Sequence, residues 1–140
     1  SALSDKEGFI VVYPDGIGRK WKYWDDDTDL KFLVSLIDGL VAKGTADKSR
    51  VYATGISNGA YMAQRLAIEG KVARFAAVAG TMSTRMAEVA KPPRPVPLLY
   101  IHGTDDPIVG YDGTDRITSP GSTGGWNATS TCDRKLRLSS

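Results

Sequence analysis

The sequence predicts an α/β fold built on a parallel sheet. Short apolar runs without polar alternation, "FIVVY", "VYATGI", "FAAVA" and "PLLYI", recur along the chain. Such runs suit strands covered on both faces. Between several of them lie stretches with apolar residues at helical spacing, so strand and helix alternate, as crossover connections require. The 140 residues, 41% hydrophobic and 24% charged, suffice for one core.

Each element has its own local reason. In "GFIVVYPDG" a strand is expected over residues 9–13, stopped by Pro14 and Gly16. A helix is expected over residues 30–43, where Leu30, Leu33, Val34, Ile37, Leu40 and Val41 share one face. Carboxylates crowd its start and Lys43-Gly44 closes it, as the helix dipole and a glycine C-cap prefer. Further strands are expected over residues 51–56, 75–79 and 98–101, with a helix over residues 58–69. That helix carries a small face of Ala60, Ala63 and Ala67, able to approach a sheet closely. The proline-rich "KPPRPVP" leads into the last of these strands. Residues 1–117 read as the central part of one domain. Residues 118–140 read as a Gly/Ser/Thr-rich loop, "TSPGSTGGWNATS", with a basic tail containing Arg134, Lys135 and Arg137.

Composition narrows the function. A formal charge of +2 is too small to argue for a nucleic-acid partner. No stretch approaches the roughly 20 apolar residues of a membrane span. The lone Cys132 forms no intrachain disulfide. No G-x-G-x-x-G follows a strand and no phosphate-loop motif occurs. No metal site is expected.

The informative stretch is "VYATGISNGAYMAQRLA". One serine, Ser57, stands between Gly55 and Gly59 where a strand run gives way to a helix pattern. In a strand–turn–helix elbow such a serine is held in a strained conformation at the carboxyl edge of the sheet, with glycines where side chains would clash. The backbone N–H of Asn58, at the helix start, could then hold an oxyanion. The bland alternative, a glycine turn with an incidental serine, leaves the strand before and the alanine-faced helix after unexplained.

A nucleophilic serine needs a base, and the base an orienting acid. In "IHGTDDPIVGYDG", Asp105 and Asp106 occupy a turn after the last expected strand, on the same sheet edge as Ser57. Aspartates also favour turns for purely local reasons. The sequence contains one histidine, His102, and it precedes the acid. As a candidate base it counts only if the chain is complete. A histidine before a glycine at a strand end more often shapes the turn.

Together "GFIVVYPDG", "WKYWDDDTDLKFLVSLIDGL", "SRVYATGISNGAYMAQRLA", "FAAVAG" and "LLYIHGTDDPIVGYDG" resemble the polyhydroxybutyrate depolymerase and feruloyl esterase group of α/β-hydrolases, over about residues 3–111. The resemblance implies an α/β-hydrolase-type parallel sheet flanked by helices. It implies a cofactor-independent serine esterase, secreted or surface-associated, acting on small-molecule or polymeric esters such as polyhydroxyalkanoate, feruloyl or acetyl esters. Ser57 matches the family nucleophile, and Asp106, rather than Asp105, the family acid. The family's second oxyanion donor comes from a His-Gly loop after an earlier strand, and this chain begins near the end of the helix after that loop. That earlier strand lies in the sheet between the runs at residues 9–13 and 51–56. The family histidine comes from beyond the acid. The chain thus reads as the middle of a hydrolase, truncated at both ends. A remnant that binds but does not turn over, and a peptidase or thioesterase on the same fold, are the competing readings. Trp21, Tyr23 and Trp24 either line a cleft or pack on the core.

Overall fold

The structure, a computed structural model, describes residues 2–82, 84–111 and 132–138. Its helices are α1 (Ala2–Glu7), α2 (Thr28–Ala42), α3 (Asn58–Ile68) and α4 (Thr84–Val89). Its strands are β1 (Tyr52–Ile56), β2 (Arg74–Val78), β3 (Leu98–Gly103) and β4 (Cys132–Leu138). They form one sheet in the order β1-β2-β3-β4, every neighbouring pair parallel. The parallel α/β architecture read from the alternating pattern is therefore the fold, and three of the four expected strands lie in it.

The fourth does not. Residues 9–13 form no strand, and their side chains are between 39% and 83% exposed. The reason is hydrogen bonding rather than propensity. A strand exists only where a neighbour takes its N–H and C=O groups. On the sheet β1 has β2 on one side, and no described strand occupies its other side. Apolar content signals that a run wants cover but does not supply the ladder.

The C-terminal stretch departs in the opposite sense. What reads as a loop with a basic tail contains β4, whose backbone runs parallel to β3 from Leu98↔Cys132 to Gly103↔Leu138. The signal is the alternation Lys135, Leu136, Arg137, Leu138, a period of two masked by its charge.

α3 anchors the core. Ala60, Ala63 and Ala67 are buried, together with Tyr61, Met62 and Leu66. The helix lies so close to the sheet that a Cβ on Gly80, past the end of β2, would come 2.6 Å from Ala60 Cβ. The buried Gln64 side chain donates to the carbonyl oxygen of Gly80 at 3.0 Å, tying helix to strand end. Leu30 and Leu33 bring the first half of α2 onto the same core, with Val34 and Ile37 half-buried beside them.

Candidate active site

β1 ends directly at Ser57, whose N–H still donates to the carbonyl of Val78 on β2 at 2.8 Å. The backbone then turns sharply. Ser57 has φ 51° and ψ −114°, a region that costs a non-glycine residue about 1–3 kcal/mol. Its carbonyl accepts from Ala60 N at 3.0 Å and Tyr61 N at 3.3 Å, so α3 starts at once. Of the two glycines only Gly55 is required by contact; contrary to the sequence expectation, a Cβ on Gly59 would meet nothing closer than Trp21 Nε1 at 4.0 Å. A Cβ on Gly55 would lie 2.3 Å from the carbonyl carbon and oxygen of Gly59. This is the strand–serine–helix elbow expected from the sequence. Asn58 opens α3, so its N–H has no intrahelical acceptor and stands at the positive end of the helix dipole.

The Asn58 side chain has a separate task. Its Oδ1 accepts from Trp21 N at 2.7 Å and its Nδ2 donates to Trp21 O at 3.1 Å. One amide thus grips both backbone polar groups of a residue 37 positions earlier. Around this clamp the 21–29 segment is laid on α3. Tyr23 stacks on Tyr61 with centroids 4.9 Å apart, and burial raises its phenol pKa. The Arg65 guanidinium lies 5.3 Å from the Trp24 ring, donates to Tyr23 O and pairs with Asp27. The buried Asp29 carboxylate accepts from Lys22 N at 2.8 Å.

The acid turn follows β3. Asp106 Oδ1 accepts from the N–H groups of Ile108 and Val109, both at 2.9 Å. Asp105 is exposed. Both Ser57 and Asp106 follow the carboxyl ends of parallel strands, β1 and β3, with β2 between them. His102 is 1% exposed. Its Nε2 lies 2.6 Å from Val109 O, a group that only accepts, so Nε2 carries the proton. Nδ1 lies 2.5 Å from the Tyr100 hydroxyl, which donates to it when the ring is neutral. Asp106 Oδ2 stands further off, 3.3 Å from Nε2. Tyr111 meets the imidazole edge-on at 6.1 Å. Both ring nitrogens are therefore committed to fixing the turn that carries Asp106.

Sequence reading did not find the Tyr100–His102–Val109 chain or the Asn58–Trp21 clamp. Asn58 stood out only for its backbone N–H, and a hydrogen bond spanning 37 residues leaves no local pattern. Among the described residues no group of three or more His, Cys, Asp or Glu is placed to hold a metal.

The parallel sheet, the serine elbow and the acid turn on one sheet edge define an α/β-hydrolase-type protein. A crystal structure of a SOBER1 variant from Arabidopsis thaliana shares the fold at TM-score 0.50 and 17% identity, over 94% of this chain and 62% of that one. The chain belongs to the esterase family described as "Esterase PHB depolymerase", which matches residues 1–92. A Nocardia uniformis subsp. tsuyamanensis protein, NocK, whose name calls it an esterase, is 35% identical over 88% of this chain and 38% of its own. A bifunctional acetylxylan esterase/xylanase, XynS20E, of Neocallimastix patriciarum is 34% identical over 78% of this chain and 16% of its own. Feruloyl esterase B of Piromyces equi is 31% identical over 81% and 23%. The matches thus span well under half the length of these relatives.

Proposed function

We propose that the protein is a serine carboxylic-ester hydrolase working through an acyl-enzyme. The backbone of Ser57, strained at φ 51° between a parallel strand and a helix, is the observation that carries this reading. Ser57 Oγ forms the bond to the ester carbonyl carbon. Its proton passes to a histidine oriented by Asp106. The Asn58 N–H, at the positive end of α3, stabilises the oxyanion. Collapse expels the alcohol, which takes the proton, and water then releases the acid by the same steps.

His102 is not that base, because Val109 O and Tyr100 hold its two nitrogens. A histidine from elsewhere in the gene product completes the triad. The names of the relatives favour feruloyl or acetyl esters, and the family description polyhydroxyalkanoates. No helix among the described residues is long and apolar enough to cross a membrane. The commitment of the sequence's single histidine also favours a second reading, in which this stretch alone binds esters without turning them over.

The test is made on the full gene product. Ser57→Ala is expected to lower ester hydrolysis roughly 10⁴-fold or more, as loss of a triad nucleophile does. A fluorophosphonate probe is expected to label Ser57. Unchanged turnover in Ser57→Ala removes the esterase assignment at this site, and a full gene product that binds but never hydrolyses leaves the binding reading.

A further inference from the structure

Three aromatic residues, Trp21, Tyr23 and Trp24, follow one another beside the elbow, and the structure separates them. Tyr23 is stacked on Tyr61 and Trp24 is covered by Arg65, so both serve the packing of α3. Trp21 is different. It is half-buried against the core, and its backbone is held at two points by the side chain of Asn58, the residue directly after Ser57. Its indole Nε1 lies 4.0 Å from where a Cβ on Gly59 would stand, which puts the ring beside the first turn of α3. Among the described residues the indole N–H has no hydrogen-bond partner. Gly59 leaves the space between ring and helix open.

We propose that Trp21 is a specificity-determining residue, its indole forming a wall for a flat group of the ester held at Ser57, and that the Asn58 side chain is its positioning residue. The inference rests on the esterase reading of Ser57. A planar group is what an indole face recognises, by stacking and area burial. An amide clamp is what keeps such a wall in place, because it fixes the backbone of the ring-bearing residue without touching substrate. Asn58 thereby acts twice: its N–H faces the oxyanion and its side chain sets the wall.

The experiment uses the full gene product and two ester pairs. Methyl cinnamate against methyl butanoate varies the acyl side, and phenyl acetate against ethyl acetate varies the alcohol side. Trp21→Ala is expected to lower the aromatic-to-aliphatic ratio of kcat/KM in one pair by roughly three- to tenfold, mostly through KM, the size of an aromatic pair contact. Trp21→Phe, which keeps a flat ring, should restore most of the ratio. Asn58→Ala retains the backbone N–H and should lower the same ratio, and the double variant should lower it no further than Trp21→Ala alone. A residue of merely structural importance would depress both esters of a pair alike and leave the ratios intact. Unchanged ratios, or additive effects of the two substitutions, overturn the inference while fluorophosphonate labelling of Ser57 keeps the esterase reading standing. Absence of that labelling in the unsubstituted protein removes both.

Discussion

At the scale of single residues, the elbow shows what a short motif can and cannot announce. Gly55 was legible because a clash is local: the Cβ it lacks would sit 2.3 Å from the backbone of Gly59, whereas a Cβ on Gly59 itself would clash with nothing. Backbone atoms cannot swing aside as a side-chain tip can. Gly55→Ala is accordingly expected to destabilise the fold by about 1–3 kcal/mol, the range for overpacking, and to slow probe labelling of Ser57. Chemical denaturation with a parallel labelling assay reads both. His102 was legible only as a strand-end histidine of the kind that shapes a turn. The donor logic that fixes its tautomer needs Tyr100 and Val109 in space, and Val109 comes seven residues later on a loop with no regular period. In the full gene product, His102→Gln should cost about 1–3 kcal/mol of stability, because buried polar partners lose their geometry. Hydrolysis should fall far less than in Ser57→Ala. Equal losses in the two variants would return His102 to the chemistry.

At the scale of elements, α2 and α3 were readable to within two residues because their apolar spacing and their ends agree. The start of α2 adds a titrating contact. Asp26 Oδ1 accepts from the N–H of Thr28 at 2.8 Å and from its hydroxyl at 2.5 Å, and Lys22 pairs with Oδ2 at 3.0 Å. The Thr28 hydroxyl is the largest cause holding the Asp26 carboxyl below its ordinary range, with the Thr28 N–H and Lys22 adding to it. A folded-state pKa below the unfolded value gives stability that is present above the unfolded pKa, near 3.9, and is lost as pH falls through the folded one. Asp26→Asn should therefore lower the thermal midpoint at pH 7, and the gap from the parent should close as pH falls below about 4. A gap that stays constant down to pH 2 would show that the carboxylate contributes no charge-dependent stability. β4 was missed for the converse reason: its alternation spans few residues, and four of its seven carry formal charge.

At the scale of the whole molecule, the decisive term is which strand has a neighbour. β2 and β3 are paired on both sides, so their runs became strands wherever the apolar pattern placed them. Residues 9–13 carry an equally apolar run and are unpaired, which no reading of their own composition could reveal. The consequence is a contiguous exposed series of Phe9, Ile10, Val11, Val12 and Tyr13, in a protein whose β1 also has a single described neighbour. Short apolar runs rich in β-branched residues, and unpaired strand edges, associate with other chains. The 140-residue chain is expected to aggregate in proportion to its concentration. Ile10→Lys with Val12→Lys should suppress that aggregation, measured by light scattering, with little change in thermal midpoint, because these side chains are half exposed and leave no cavity when replaced. The same pair placed in the full gene product separates two situations. A midpoint that again holds steady means the run faces water there too. A fall of several degrees means that further chain covers it, since a buried lysine must be desolvated without a partner. If instead the lysine pair leaves aggregation of the 140-residue chain unchanged, the association arises elsewhere, and residues 9–13 are not its cause.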